Sequence, residues 1–237
     1  MIFDPMYFVF LAPAMLLALW AQFRVQSAYA QMSRVPARSG VTGAQAAAAM
    51  LRRAGLTGVA IAPGRGVLSD HYDPRSKTLR LSPQVYGGTS LASLGIAAHE
   101  AGHALQDARG YAPLRLRNGI VPLAAVGSRL AVLLIIMGIV LGAGLRAGGL
   151  GGVLLWGGIG LFSTVVAFQL VNLPVEYDAS ARARLQLQEL GLVDPDEVPM
   201  VRRVLSAAAL TYVAATLTAI LTLAYYVTLA LGSSRRE

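Results

Sequence analysis

His99-Glu100-Ala101-Gly102-His103 is the stretch of this sequence that constrains the surrounding chain most strongly. It is an HExxH motif, and it contains two of the three histidines in the chain. On a helix, residues four positions apart project from one face, so both imidazoles can reach a single Zn²⁺ ion. The glutamate beside the first histidine can take a proton from a water molecule at that ion. The motif predicts a catalytic zinc site with His99 and His103 as ligands and Glu100 as general base.

The residues around the motif favour the helix that this site requires. Residues 87–90 form a turn that ends in an N-cap, and residues 91–106 carry apolar side chains at three- and four-residue steps. We therefore expect a helix that packs on the core through one face and turns its histidines toward a cleft. Gly102 weakens such a helix by about 1 kcal/mol relative to alanine. It indicates either close approach of another backbone to the metal or simple helix packing. The apolar stripe consists of Leu91, Leu94, Ala98, Ala101 and Leu105.

Four apolar segments, uncharged except for Arg129 in the extension of the second, are long enough to cross a membrane, which takes about 20 residues as a helix. They account for a composition that is 55% hydrophobic and only 14% charged. The first segment follows Asp4, has no basic residue before it and is followed by Arg24, so it is typical of an uncleaved anchor. The sequence predicts a mainly α membrane protein with four transmembrane helices. The segments are residues 5–23, 130–145 with an extension toward 119, 147–173 and 204–232.

The distribution of basic residues indicates an orientation. Four crossings put residues 24–118 and 175–203 on one side, and these segments carry 12 and 4 of the 20 basic residues. Basic residues accumulate on the cytoplasmic side, so we expect the HExxH motif to face the cytoplasm from a bacterial inner (cell) membrane. The net charge of +8 then fits arginines beside anionic lipid headgroups. No basic run is interleaved with aromatic residues, so we expect no nucleic-acid partner.

The third zinc ligand must be a histidine or a carboxylate, because the chain has no cysteine. Glu176 and Asp178 stand where the third span leaves the membrane, and acidic residues are scarce on that side. We predict Glu176 as the ligand. Asp178 either hydrogen-bonds a ligand histidine or pairs with Arg182 at i+4. We expect Pro174 to redirect the chain as it leaves the bilayer.

A small α+β domain is predicted between the first and second spans. Thr42 and Gln45 form a capping box for a short helix. Residues 59–62, 67–72 and 78–82 are predicted strands, and a turn at residues 73–76 makes a hairpin of the last two. The predicted organisation is residues 1–24, first transmembrane helix; 25–118, zincin-like catalytic domain; 119–174, hairpin of the second and third transmembrane helices; 175–203, helical segment with the third ligand; 204–237, fourth transmembrane helix and tail.

His71, the third histidine, ends the strand before the turn. We predict that it donates a hydrogen bond to the oxyanion formed in peptide hydrolysis or binds zinc transiently. The alternative is a structural histidine paired with Asp70 or Asp73. The weaker candidates for the donor are Tyr72, Tyr111 and Tyr177.

Several segments along the chain carry a resemblance to a known family: Phe3-Asp4-Pro5, residues 69–75, the HExxH motif, residues 111–115 and residues 173–180. Together they resemble the YugP-like family of bacterial membrane zinc metallopeptidases and, more distantly, the HtpX-type membrane proteases. The resemblance implies a gluzincin-like site with His99, His103 and Glu176 as ligands and Glu100 as base. HtpX-like proteases carry an aspartate four residues after the ligand glutamate, whereas this chain has Ser180. Asp178 or another residue is expected to take that role.

These observations predict a zinc endopeptidase that hydrolyses proteins or peptides in or beside the lipid bilayer; the substrate class is implied by the likeness to HtpX-type proteases. One alternative is an intramembrane protease, but charged residues surround the motif and residues 91–98 are too short to span. A second alternative is a non-catalytic scaffold or regulator stabilised by zinc. Glu100 argues against it, because a purely structural zinc site needs no general base.

Overall fold

The computed structural model describes residues 5–144 and 148–234. Within these residues the chain divides into two compact units. The helical unit comprises residues 5–20, 116–144, 148–172 and 212–234, and the mixed unit comprises Ala21–Arg115 and Leu173–Thr211. The elements in chain order are α1 (Pro5–Met32), α2 (Gly43–Arg53), β1 (Ala60–Pro63), β2 (His71–Asp73), β3 (Thr78–Leu81), α3 (Pro83–Tyr86), α4 (Leu91–Ala108), α5 (Ala112–Gly144), α6 (Gly148–Glu189) and α7 (Val198–Ser234).

Helices α1, α5, α6 and α7 are each long and apolar enough to cross a membrane. The four predicted spans fall in these helices, except that residues 145 and 147 lie outside the described residues. In the helical unit, α5 and α6 pack closely because glycines face the neighbouring backbone. A Cβ atom added to Gly138 would lie 2.6 Å from the nitrogen of Leu155, and one added to Gly158 would lie 2.9 Å from the carbonyl oxygen of Ala131. Such small-residue contacts are common between transmembrane helices.

The helices extend well beyond the predicted spans. Helix α5 begins at Ala112 because Pro113 suits the first turn of a helix, where its missing N–H is not needed. Helix α6 is helical on both sides of Pro174 and ends at Glu189, so the chain continues as helix where we expected the proline to redirect it. The polar ends of these helices lie outside the uncharged runs from which the spans were predicted.

The mixed unit contains a three-stranded sheet in the order β1-β3-β2. Strands β2 and β3 form the predicted antiparallel hairpin, with His71 opposite Arg80, and β1 pairs with β3 in parallel. Strand β2 begins four residues later than predicted, because Gly66 (φ +91°) and Leu68 (φ +52°) adopt left-handed conformations that an extended strand excludes. Strand β2 is therefore a short edge strand.

Helix α4 is the centre of the mixed unit and matches the predicted helix closely. Its N-cap Ser90 accepts a hydrogen bond from the backbone nitrogen of Ser93. The predicted apolar stripe lies entirely in the core, where it packs with Leu79 and Leu81 from β3 and Leu187 from α6. A leucine truncated to alanine in such a core costs about 2–5 kcal/mol. Because this stripe is buried, the rotation of α4 about its axis is fixed, and so is the direction of its opposite face.

Candidate metal centre

Three of the predicted site residues converge in the mixed unit. His99 and His103 come from α4, and Glu176 comes from α6. The Nε2 atoms of His99 and His103 lie 3.2 Å and 3.6 Å from Oε2 of Glu176, and the potential ligand atoms of all three residues lie within 4.8 Å of one another. Ligands about 2.0–2.1 Å from a tetrahedral zinc ion are separated by about 3.3 Å. The spacing therefore fits three corners of such a site.

The chemistry of these donor atoms also fits a cation. Nδ1 of His103 lies 3.0 Å from the amide oxygen of Gln106, so Nδ1 carries a hydrogen and Nε2 presents a lone pair toward the Glu176 carboxylate. Electron-rich atoms this close require a positive charge between them. Burial alone would lower the pKa of His103, but the hydrogen bond to Glu176 and the charge of Glu100 outweigh it and raise the pKa. The raised pKa of His103 favours a positive charge at this position when no metal is bound.

Gly102 allows the two ligand-bearing helices to approach each other. A Cβ atom on Gly102 would lie 2.7 Å from the carbonyl oxygen of Ala179 in α6 and 3.2 Å from its Cα. Because these neighbours are backbone atoms of a fully buried residue, they cannot move aside easily. The two interpretations of Gly102 coincide: it serves helix packing, and the backbone that it admits belongs to the helix that carries Glu176.

Glu100 is buried and is held by the edge strand of the sheet. Its Oε2 accepts a hydrogen bond of 3.0 Å from the backbone nitrogen of Tyr72 in β2. The Tyr72 hydroxyl donates to Asp107, near the end of α4, and Lys77 pairs with the same carboxylate. Burial and the hydrogen bond to Asp107 raise the pKa of Tyr72, which keeps the phenol protonated. Strand β2 is thus attached to α4 at two points, one of which is the predicted general base.

Further side chains contact the ligand histidines at Nδ1, the ring nitrogen that does not face Glu176. Ser180 Oγ lies 3.1 Å from Nδ1 of His99. Asp178 pairs with Arg182, which is one of the two alternatives left open by the sequence, and it reaches His103 only through Gln106. Gln106, which connects His103 to Asp178, was not among the residues predicted for the site. Its position at i+3 from His103 was the available signal.

His71 lies outside the cluster of three potential ligands found among the described residues. Its side chain is exposed, and its Nδ1 is 2.8 Å from the carbonyl oxygen of Ser69. Asp70 instead accepts hydrogen bonds from the nitrogen and hydroxyl of Ser82, and Asp73 accepts two within the hairpin turn. The hydrogen bonds of both aspartates therefore go to residues other than His71.

Comparisons with known proteins agree with this geometry. Residues 7–231 match a family described as "Putative neutral zinc metallopeptidase". The chain is 45% identical over 223 residues to the "Putative membrane protease YugP" of Bacillus subtilis (strain 168), which covers 94% of this chain and 96% of that protein. No solved structure matches the chain. A zinc peptidase family implies zinc and a protein or peptide substrate. The converging His99, His103 and Glu176 and the four membrane-length helices fit that description, and the chain belongs to the YugP-like family of membrane zinc metallopeptidases.

Proposed function

We propose that the protein is an integral-membrane zinc endopeptidase that hydrolyses peptide bonds of membrane or membrane-adjacent proteins at the cytoplasmic face. The observation that carries this proposal is the convergence of His99, His103 and Glu176 beside a buried Glu100. Two histidines and one glutamate leave a fourth position open, and an open position is typical of catalytic rather than structural zinc.

His99 and His103 would hold the ion through Nε2 and Glu176 through its carboxylate. Zinc, when bound, supplies Lewis-acid chemistry, polarising a carbonyl group and acidifying water. The Glu100 carboxylate takes a proton from the water that attacks the scissile carbonyl carbon, and a C–O bond forms. Glu100 then delivers a proton to the amide nitrogen as the C–N bond breaks. The Tyr72 N–H holds Oε2 of Glu100 in place, so that the base does not have to reorient between these transfers.

We assign the oxyanion donor to His71, as the sequence predicts. Its position at the start of β2 puts it next to Tyr72, whose N–H holds the base. Because Nδ1 of His71 donates to the Ser69 carbonyl oxygen, Nε2 can donate only when the imidazole is doubly protonated. The Tyr72 hydroxyl is engaged by Asp107, which makes it a poorer candidate for the same role.

The zincin-like domain of residues 25–118 would bind its substrate as an extended segment. Strand β2 lies at the edge of the sheet and contacts α4 through the Tyr72–Glu100 hydrogen bond. An extended peptide can add to such an edge through main-chain hydrogen bonds. A site of this kind selects unfolded or loosely structured segments over compact domains.

The proposal is tested with the full-length protein purified in detergent. Wild type should contain about one zinc per chain and cleave casein, and Glu100→Gln should keep its zinc while hydrolysis falls by about 10²–10⁴-fold. Glu189→Gln, an exposed carboxylate on α6, is the matched control and should resemble wild type. His99→Ala and His103→Ala should each lose zinc. Hydrolysis retained in Glu100→Gln contradicts the mechanism, and zinc binding by an inactive wild type favours the scaffold alternative.

A further inference from the structure

Gln106 is a fully buried amide that contacts both helices of the metal centre. It lies on α4, three residues after His103, and its oxygen is 3.0 Å from Nδ1 of that histidine. Its nitrogen lies 2.8 Å from the carbonyl oxygen of Val175 and 2.8 Å from Oδ2 of Asp178, both on α6. Nothing in the proposed reaction uses this side chain, yet it has three hydrogen-bond partners in the interior.

The partners determine which way the amide points. A backbone carbonyl and a carboxylate paired with an arginine are acceptors only, so they must face the NH₂ group of Gln106. The amide oxygen must then face His103, and a flipped amide would place three oxygens against one another. An oxygen facing Nδ1 requires a hydrogen on Nδ1. The tautomer of neutral His103 is therefore fixed, with its lone pair on Nε2.

The second ligand histidine lacks this constraint. Nδ1 of His99 meets the hydroxyl of Ser180, which can either donate or accept a hydrogen bond. Ser180 is therefore compatible with both tautomers of His99, whereas Gln106 permits only one of His103. The amide also acts on the other helix, because Val175 and Asp178 stand on either side of Glu176 in the chain. Gln106 therefore affects two of the three ligands: it contacts His103 directly, and it contacts the neighbours of Glu176 in α6.

We propose that Gln106 is the positioning residue of the metal centre, fixing the tautomer of His103 and holding the segment of α6 that presents Glu176. This inference rests on the proposed function, since it takes His103 and Glu176 as zinc ligands. Hydrogen bonds behind a ligand histidine orient its ring and commonly contribute 10–100-fold to metal affinity. Gln106 would have this effect without contacting the metal or the substrate.

The first test measures the zinc dissociation constant of the full-length protein by competition with a chelator. Gln106→Met keeps the length and burial of the side chain but removes its hydrogen bonds. We expect its dissociation constant to rise by about 10–100-fold. Gln188→Met, at an exposed glutamine of α6, is the control and should bind zinc as wild type does. Wild-type affinity in Gln106→Met overturns the proposal.

A double substitution at residues 106 and 178 distinguishes the loss of specific hydrogen bonds from simple misfolding. Gln106→Glu still offers an oxygen to His103 but sets a carboxylate against the Val175 carbonyl and Asp178, so zinc affinity should fall. Adding Asp178→Asn supplies an amide that can donate to the introduced carboxylate. The double variant should bind zinc more tightly than Gln106→Glu and more tightly than the two single changes add up to. Strictly additive losses overturn the relay from His103 through Gln106 to Asp178.

The tautomer itself can be observed, because the chain has only three histidines. ¹⁵N NMR of the zinc-loaded protein should show His103 protonated at Nδ1, and Gln106→Met should lose the protection of that hydrogen from exchange. A role limited to filling space would leave this signal unchanged. His103→Ala separates the two levels of inference: if it retains zinc, the proposed site itself is wrong. If it loses zinc while Gln106→Met does not, only the role of Gln106 is wrong.

Discussion

Ser180 Oγ lies 3.1 Å from Nδ1 of His99, and Ser180 is the residue at which this chain departs from the aspartate of HtpX-like proteases. Ser180 therefore contacts a ligand histidine directly, whereas Asp178 reaches a ligand histidine only through Gln106. A hydroxyl is a weaker partner for an imidazole N–H than a carboxylate, because a charged acceptor makes a stronger hydrogen bond. This difference leads to a prediction in two directions.

Ser180→Ala should weaken zinc binding by about 10-fold, and Ser180→Asp should bind zinc at least as tightly as wild type, because a carboxylate there holds the Nδ1 hydrogen of His99. Competition with a chelator measures both. Ser206→Ala, at an exposed serine of α7, is the control and should leave the dissociation constant unchanged. Unchanged zinc affinity in Ser180→Ala would mean that the contact has no influence on the metal.

Glu176→Ala should abolish zinc binding or weaken it drastically, and it should abolish hydrolysis, because it removes one of three ligand groups. Asp178→Ala should weaken zinc binding by about 10–100-fold only, since Asp178 acts on His103 through Gln106. Metal analysis after dialysis, together with casein hydrolysis, distinguishes the two. Greater metal loss in Asp178→Ala than in Glu176→Ala would reverse the assignment of ligand and supporting residue.

Gly102→Ala should stabilise helix α4 locally but destabilise the protein more through overpacking. Alanine favours a helix by about 1 kcal/mol over glycine, but the added methyl group would overlap the backbone of Ala179, and overpacking of this kind costs about 1–3 kcal/mol. We expect a lower melting temperature and weaker zinc binding. Gly119→Ala is the matched control, because it lies within α5 with open space at the Cβ position. A melting temperature raised equally in both variants would refute the steric argument.

His71→Ala should reduce kcat by about 10²–10³-fold, the usual effect of removing one oxyanion donor, while zinc content stays at the wild-type level. Arg80→Ala removes the exposed register partner of His71 on β3 and controls for damage to the hairpin. If His71→Ala had the wild-type kcat, His71 would have only a structural role.

The predicted orientation is tested by labelling, which the absence of cysteine makes simple. Single cysteines are introduced by Arg65→Cys on the HExxH side and by Arg146→Cys on the other side. In intact cells an impermeant maleimide should label only the Arg146→Cys variant, because basic residues mark the cytoplasmic side. The reverse pattern would mean that the active site faces outward.

Features with a local or periodic signature were predictable from the sequence. The four spans, the hairpin, the capping box at Thr42 and helix α4 follow from runs of apolar residues, turn residues and helical spacing. Glu176 could be singled out because carboxylates are scarce near the membrane ends. Long-range hydrogen bonds have no such signature. The contact between the Tyr72 N–H and Glu100 joins a backbone atom to a side chain 28 residues away, and a sequence does not encode backbone donors by residue type.

The ends of the helices and strands illustrate the same difference. Apolar composition located α5 and α6, but the lengths of these helices depend on polar turns beyond the uncharged runs. The late start of β2 depends on the left-handed conformation of Leu68, which is unusual for a leucine and has no counterpart in its propensity. Sequence reasoning therefore located the elements well and their ends less well.

The position of Glu176 in the chain has a consequence for biosynthesis. The ribosome completes the HExxH motif more than seventy residues before it reaches this glutamate. A nascent chain can thus present both histidines and the general base while the third ligand does not yet exist. Under the proposed function, the enzyme remains inactive until α6 has been translated. Under the proposed function, the order of the ligands along the chain delays proteolysis while the protein is still being made.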